Sequence, residues 1–113
     1  MKIDEIFGSP ESIDIISRRD DIVDLIMIVN GYVGDSFEEQ AALDRKLMYY
    51  NDWAESGEFF ALYGDAKVGI VVTFTERPSD AIINRLAVWH KDMANAKSEL
   101  RVMIGGLPLF IIS

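Results

Sequence analysis

Cysteine is absent from the 113-residue chain. Its absence excludes disulfides, thiolate metal sites and cysteine nucleophiles, and it suits a reducing, cytoplasmic setting. Long apolar runs are missing too: the longest aliphatic stretches fall far below the roughly 20 residues of a membrane span. The opening MKIDEIFGSP places acids where a signal peptide needs an apolar run. The chain is therefore expected neither to be exported by that route nor to span a membrane. Catalytic signatures are equally scarce. No G-x-S-x-G elbow, H-E-x-x-H, EF-hand loop or Walker A loop occurs, and GDAKVG (64 to 69) lacks the loop length and the Ser/Thr after lysine that phosphate and magnesium require. That segment reads as a turn. No metal site, cofactor or catalytic residue is expected. A basic stripe is also wanting, since Arg85, Lys91, Lys97 and Arg101 are few and interspersed with acids, which disfavours nucleic acid as a partner.

What is present suits one domain spanning 1–113, with 50% hydrophobic residues to close a core. The net charge of −8 is unevenly placed. Residues 1 to 58 carry fourteen Asp/Glu against five Lys/Arg, or −9, while residues 59 to 113 carry five against six, or +1. Such a field repels nucleic acid and anionic lipid and attracts basic partners, although solubility alone is a sufficient reason for acidity.

SIDIIS (12 to 17) and DIVDLIMIV (21 to 29) read as two strands joined at Arg18, Arg19 and Asp20. In DSFEEQ a capping box is available as Asp35 with Glu38 or Ser36 with Glu39, predicting a helix over about 36 to 55 with Gly57 as its stop. EFFALY (58 to 63) and KVGIVVTFTE (67 to 76) read as a second hairpin, the latter with Val68, Ile70, Val72 and Phe74 on one side. Pro78 and Ser79 open a second helix to about 96, and ELRVMI (99 to 104) returns to alternation. LPLFII (107 to 112) reads as an edge strand, where Pro108 is tolerated. The expectation is an α+β fold: a mainly antiparallel sheet of five to six strands with two helices on one face, in the order ββαββαβ(β).

Six of the twelve aromatic residues fall within LMYYNDWAESGEFFALYGD, 47 to 65. With Leu47 at the centre of the buried stripe, Leu43, Tyr50 and Ala54 join it, with Phe37 and Met48 on one shoulder of the core. Tyr49 and Trp53 then point away and are expected to be exposed among Asp52, Glu55 and Glu58. Aromatic rings ringed by acids suit a surface that binds a basic protein. The alternative is that Trp53 covers the helix end and the C-terminal tail. On the second helix Ile82, Ile83, Leu86, Trp89 and Met93 form a core stripe that His90 shares or borders. As the chain's sole histidine, His90 reads better as a satisfied core or boundary residue than as a base or ligand.

SIDIIS, the KL and Y of RKLMYY, ESGE followed by Y-x-DAK, a strand and a proline-initiated helix together resemble a family of small bacterial proteins catalogued only as a domain of unknown function. The resemblance covers about residues 10 to 103. It departs at AKVG, whose glycine is displaced by one position, and at the aliphatic tail. It implies an α+β fold and carries no catalytic residues. By type alone, the size, acidity and lack of catalytic signatures resemble bacterial immunity proteins, which neutralise a co-encoded toxin.

The specific expectation is thus a non-catalytic inhibitor that binds a basic, nuclease-type toxin through Tyr49, Asp52, Trp53, Glu55 and Glu58. A self-associating structural or interaction domain, forming a homodimer through the second sheet face or the C-terminal edge, is the main alternative. A small enzyme using a carboxylate pair, such as Asp14 with Asp24 across the first hairpin, is the third.

Overall fold

Two alternating apolar strands, β2 (Ile22–Val29) and β3 (Lys67–Phe74), form the centre of the molecule in a computed structural model that describes residues 3–9, 11–93 and 98–108. Val23, Leu25, Met27 and Val29 from β2 share one face with Val68, Ile70, Val72 and Phe74 from β3 and with Leu100 and Val102 from β4 (Ser98–Ile104). All ten are buried. Onto this face pack Ile6 and Phe7 of α1 (Ile3–Phe7), Leu43, Leu47 and Tyr50 of α2 (Phe37–Ala54), Phe59 of α3 (Gly57–Tyr63), and Ile82, Leu86 and Met93 of α4 (Asp80–Met93). The helices therefore lie on one sheet face, which is the two-layer arrangement expected from the alternation.

The fold is α+β, but the sheet is mixed, not mainly antiparallel. Its order is β1-β2-β3-β4-β5, with β1 (Ile15–Arg19) antiparallel to β2, β2-β3 and β3-β4 parallel, and β5 (Leu107–Pro108) antiparallel to β4. The described residues hold five strands and four helices in the order αββααβαββ, which replaces the two-helix ββαββαβ(β) order. Of the edge strand expected over 107 to 112, Leu107–Pro108 is β5, while 109 to 112 and the helix end over 94 to 96 lie outside the described residues.

EFFALY accounts for the change. It is helical, not extended: Ser56 caps α3 by accepting the Phe59 N–H on its hydroxyl at 3.2 Å, and Gly64, at φ 64°, ends the helix with its N–H on the Phe60 carbonyl at 2.7 Å. Phe59 and Tyr63, four residues apart, turn inward, while Phe60 and Leu62 turn out. A six-residue segment with only five apolar residues fits either period, so alternation alone did not distinguish them. Once 57 to 63 is helical, the chain returns along α2 and α3 to the end of the sheet where β2 began, and β3 must enter parallel.

Caps elsewhere match the local signals. At α2 the Ser36–Glu39 register is the one used: the Glu39 N–H donates to Ser36 Oγ at 3.2 Å, Ser36 Oγ donates to Glu39 Oε1 at 2.7 Å, and Gly34 N–H donates to Glu39 Oε2. The Ser36 hydroxyl, aided by backbone N–H groups, holds the Glu39 carboxyl below its usual range. At α4 the Ile82 N–H donates to Ser79 Oγ at 3.3 Å.

Two polar groups interrupt the apolar pattern. Lys46 is fully buried, its Nζ donating to the Phe7 carbonyl and to Asp14 Oδ1, the latter at 2.9 Å. Asp14 Oδ2 accepts the Ile28 N–H at 2.9 Å, and Tyr50 Oη accepts the Asp14 N–H at 3.0 Å while donating to the Ile26 carbonyl at 3.1 Å. Burial pushes the Tyr50 phenol well above its usual pKa, so it stays a donor. On the other sheet face Asp24, 4% exposed, is bound by Arg19 at 2.7 Å and by Arg101 at 3.1 Å.

Asp24 sits directly over its β3 neighbour Gly69, and a Cβ there would lie 2.3 Å from Asp24 Oδ1. Two arginines hold the short carboxylate, so it has little room to yield. Gly69→Ala is expected to destabilise the fold by about 1–3 kcal/mol. In the Asp24→Ala background the same change should cost measurably less, which denaturant unfolding of the four proteins in a double-mutant cycle would show.

Candidate partner-binding surface

The orientation of α2 decides which side chains meet solvent. Its buried residues, Leu43, Lys46, Leu47 and Tyr50, centre the stripe near Leu43 and Tyr50, rotated by about 60° from a stripe centred on Leu47. Two expectations change as a result. Phe37 and Met48, assigned to the core shoulder, are 83% and 53% exposed. Tyr49 and Trp53, expected to project, are half-buried and packed against the core.

Trp53 owes its cover to α3. Its ring meets Phe59 edge-on at 5.5 Å between centroids and 83° between planes, and Phe59 in turn lies 5.1 Å from Tyr63. Such pairs add about 0.5–1.5 kcal/mol beyond area burial. Asp52, Glu55 and Glu58 are exposed. Of the five residues expected to form one binding surface, the three acids thus face solvent while the two rings lie mostly against the protein. The signal missed was Ser56, whose capping side chain marks 57 to 63 as a helix able to cover Trp53.

Phe37, Ala41, Met48 and Asp52 run along the outward side of α2, and two shallow grooves flank them. One, of about 540 Å³, is lined by Glu11, Phe37, Arg45, Met48, Tyr49 and Asp52 among others. The second, of about 620 Å³, lies toward α4 and includes Met48, Ala81, Asn84, Val88 and Trp89. Tyr49 and Asp52 of the expected set line the first, whereas Trp53, Glu55 and Glu58 line neither.

An interhelical clasp joins the grooves, with Asp44 and Arg85 lining both and Trp89 lining the second. Arg85 Nε donates to both carboxylate oxygens of Asp44 at 2.9 and 2.7 Å, Arg85 NH2 donates to Asp44 Oδ2, and Trp89 Nε1 donates to Asp44 Oδ1 at 2.9 Å. Trp89 is half-buried and packed against the core, as its place on the stripe predicts, and its indole N–H is held in the clasp. Burial alone would raise the Asp44 carboxyl, but the Arg85 and Trp89 donors outweigh it and hold the group below its usual range.

The first hairpin does not assemble a carboxylate pair. Asp14 bonds at Ile28 and Asp24 lies four residues earlier on β2, about 13 Å along the strand. Asp14 is neutralised by Lys46, and Asp24 by Arg19 and Arg101. Among the described residues no group of three or more His, Asp or Glu could hold a metal ion, and no helix is long and apolar enough to cross a membrane.

No family model, curated protein or solved structure matches the chain. The surface must be read from its own chemistry. Between residues 35 and 58 the exposed charged side chains are Asp35, Glu38, Asp52, Glu55 and Glu58 against Arg45 alone. An acidic surface thus carries two exposed apolar groups, Phe37 and Met48, beside a groove. Apolar groups in this setting suit protein contact, and methionine adapts its shape to varied partners.

Trp53→Ala is expected to lower stability by about 2 kcal/mol through lost packing on Phe59, while Met48→Ala stays within about 0.5 kcal/mol. Chemical denaturation measures both, and an unchanged midpoint for Trp53→Ala would contradict its placement. The Asp44 carboxyl titrates lower in the folded chain than in the unfolded one. Its contribution is therefore complete above the ordinary carboxylate value of about 4 and is lost as pH falls through the folded value. Asp44→Asn should accordingly lower stability at pH 7 and flatten its decline below about pH 4, as seen in urea unfolding across that range.

Proposed function

We propose that the protein is a non-catalytic binding protein that uses the acidic outer surface of α2 and the start of α3 to engage a basic protein partner, as an inhibitor of the immunity type would. The observation that carries this reading is the five-to-one excess of exposed acids over bases between residues 35 and 58, set around exposed Phe37 and Met48. The acids would steer a basic surface into contact, and the apolar pair would supply desolvated area at the centre. Tyr49 and Asp52 would contribute from the groove wall, with Glu55 and Glu58 at the rim. Trp53 would act chiefly by holding α3 against α2. The narrower identification of the partner as a bacterial toxin rests on size, acidity and the absence of catalytic signatures. The lack of cysteine suits a cytoplasmic setting for that contact.

Affinity capture from the native host with the wild-type chain and a folded Phe37→Lys/Met48→Lys variant tests this reading. A basic protein should be retained by the first and lost by the second. Its association with the wild-type chain should slow by about tenfold or more between low and physiological salt. Replacing Asp52, Glu55 and Glu58 by their amides should act mainly on that association rate. Recovery of no basic protein that distinguishes the two chains, or binding indifferent to salt, would overturn the proposal.

A further inference from the structure

The sheet has a second face, and its strands are of a kind that rarely goes uncovered. Parallel ladders occur almost always with both faces packed, because their crossover connections and apolar side chains demand it. Here β2, β3 and β4 are parallel neighbours, yet all the helices packed on the core lie on one side. Alternation assigns the other side to Ile15, Ser17 and Arg19 of β1, Ile22, Asp24, Ile26 and Ile28 of β2, Lys67, Gly69, Val71 and Thr73 of β3, and Glu99, Arg101 and Met103 of β4.

Register sorts this face into two zones. Ile15, Ile26 and Val71 form one row, which ends at Arg101 on β4, and Ile28, Thr73 and Met103 form the next, giving a contiguous, largely apolar zone in which Val71 is 9% exposed and Ile26, Ile28 and Met103 are half-buried. Ile15 is 44% exposed at its margin. The other charged residues lie toward the opposite end of the strands, and the Arg101 side chain reaches from the Val71 row to join Arg19 on Asp24, beside Gly69. Lys67 and Glu99 lie beside them.

Charge selects the occupant. This face holds three cations, Arg19, Lys67 and Arg101, against two anions, Asp24 and Glu99, in a chain whose net charge is −8. It is close to neutral, so it neither draws a strongly basic partner, as the helical surface would, nor offers the continuous positive stripe that nucleic acid needs. Two copies of an acidic chain repel least where each presents such a face. A two-fold axis through the apolar zone would set Ile15, Ile26, Ile28, Val71 and Met103 against their counterparts and place the Arg–Asp–Arg groups at opposite ends.

We propose that the sheet face on which none of the described helices packs, centred on Ile26, Ile28 and Val71, is the interface of a symmetric homodimer, with the helical surfaces pointing away from it. This placement is independent of what the helical surface binds.

Sedimentation equilibrium of the wild-type chain at about 50 µM should give twice the 12.7 kDa chain mass. Ile15→Lys/Met103→Lys should weaken the dimer at least about tenfold, with the far-UV circular dichroism of the wild type. Should that pair of changes unfold the chain, Ile15→Lys alone, at a largely exposed position, should still weaken association. Phe37→Lys/Met48→Lys on the helical surface should leave the dimer intact. A wild-type monomer at that concentration would overturn the proposal, as it would if the chain's own terminal residues covered the face. Dimers that resist the sheet-face changes, or that dissociate on the helical ones, would overturn it equally.

Discussion

A lysine ammonium with no exposure to water constrains everything around it. Desolvating such a charge costs several kcal/mol, and the cost is offset only when a carboxylate and further acceptors meet it in place. Lys46 finds Asp14, which enters from the lead into β1, and the Phe7 carbonyl at the end of α1. Gly8 follows at φ 71°, and a Cβ there would stand 3.5 Å from Nζ. Tyr50, one turn along α2, ties the same segment to β2 through Ile26. One side chain thus fixes where α1 ends, where β1 begins and which way α2 is turned. Its role is geometric before it is energetic: a wholly apolar replacement is often no less stable, whereas a single missing partner leaves a buried charge uncompensated.

The turning of α2 has consequences at its outer side. With Lys46 and Tyr50 drawn toward β1 and β2, the helix presents Phe37 and Met48 to solvent and brings Trp53 under the cover of α3. Asp44 is placed facing α4, where Arg85 and Trp89 close on it. The acidic surface and its apolar groups therefore follow from the buried cation inside. The segments SIDIIS and RKLMYY supply Asp14, Lys46 and Tyr50 of this cluster. Their part in the fold is to fasten α2, and they leave its acidic outer surface to other residues.

Much of this was legible from local patterns. An apolar run located β2, alternation located β3 and β4, and the capping-box residues of DSFEEQ located the start of α2. What escaped was what depends on tertiary contact. A helical wheel reports relative angles, and the centre of burial must come from elsewhere. Choosing Leu47 over Tyr50 displaced it by about 60°, enough to exchange Phe37 and Met48 for Tyr49 and Trp53. Lys46 could not guide that choice, because a lysine beside the stripe reads as a solvated flank until its partners are known. EFFALY was ambiguous for a different reason, being too short for either period to prevail. The parallel sheet followed from that one segment.

The same topology divides the molecule electrostatically. Chain order equals strand order, so both crossovers lay their helices on one side, and the acids of residues 35 to 58 accumulate there. The other side receives only what the strands supply, and there Asp24 is neutralised by two arginines instead of facing water. Gly69 makes this possible by leaving space for the carboxylate between strands. A face that is apolar and nearly neutral therefore lies behind a face that is acidic. If two copies join through the first, the second is presented twice, on opposite sides of the pair, and a basic partner would meet two equivalent sites without competition from the dimer contact. The absence of a bulkier residue at position 69 then matters beyond stability, because a displaced Asp24 would release Arg19 and Arg101 and expose an unpaired carboxylate on the face that the two copies must share.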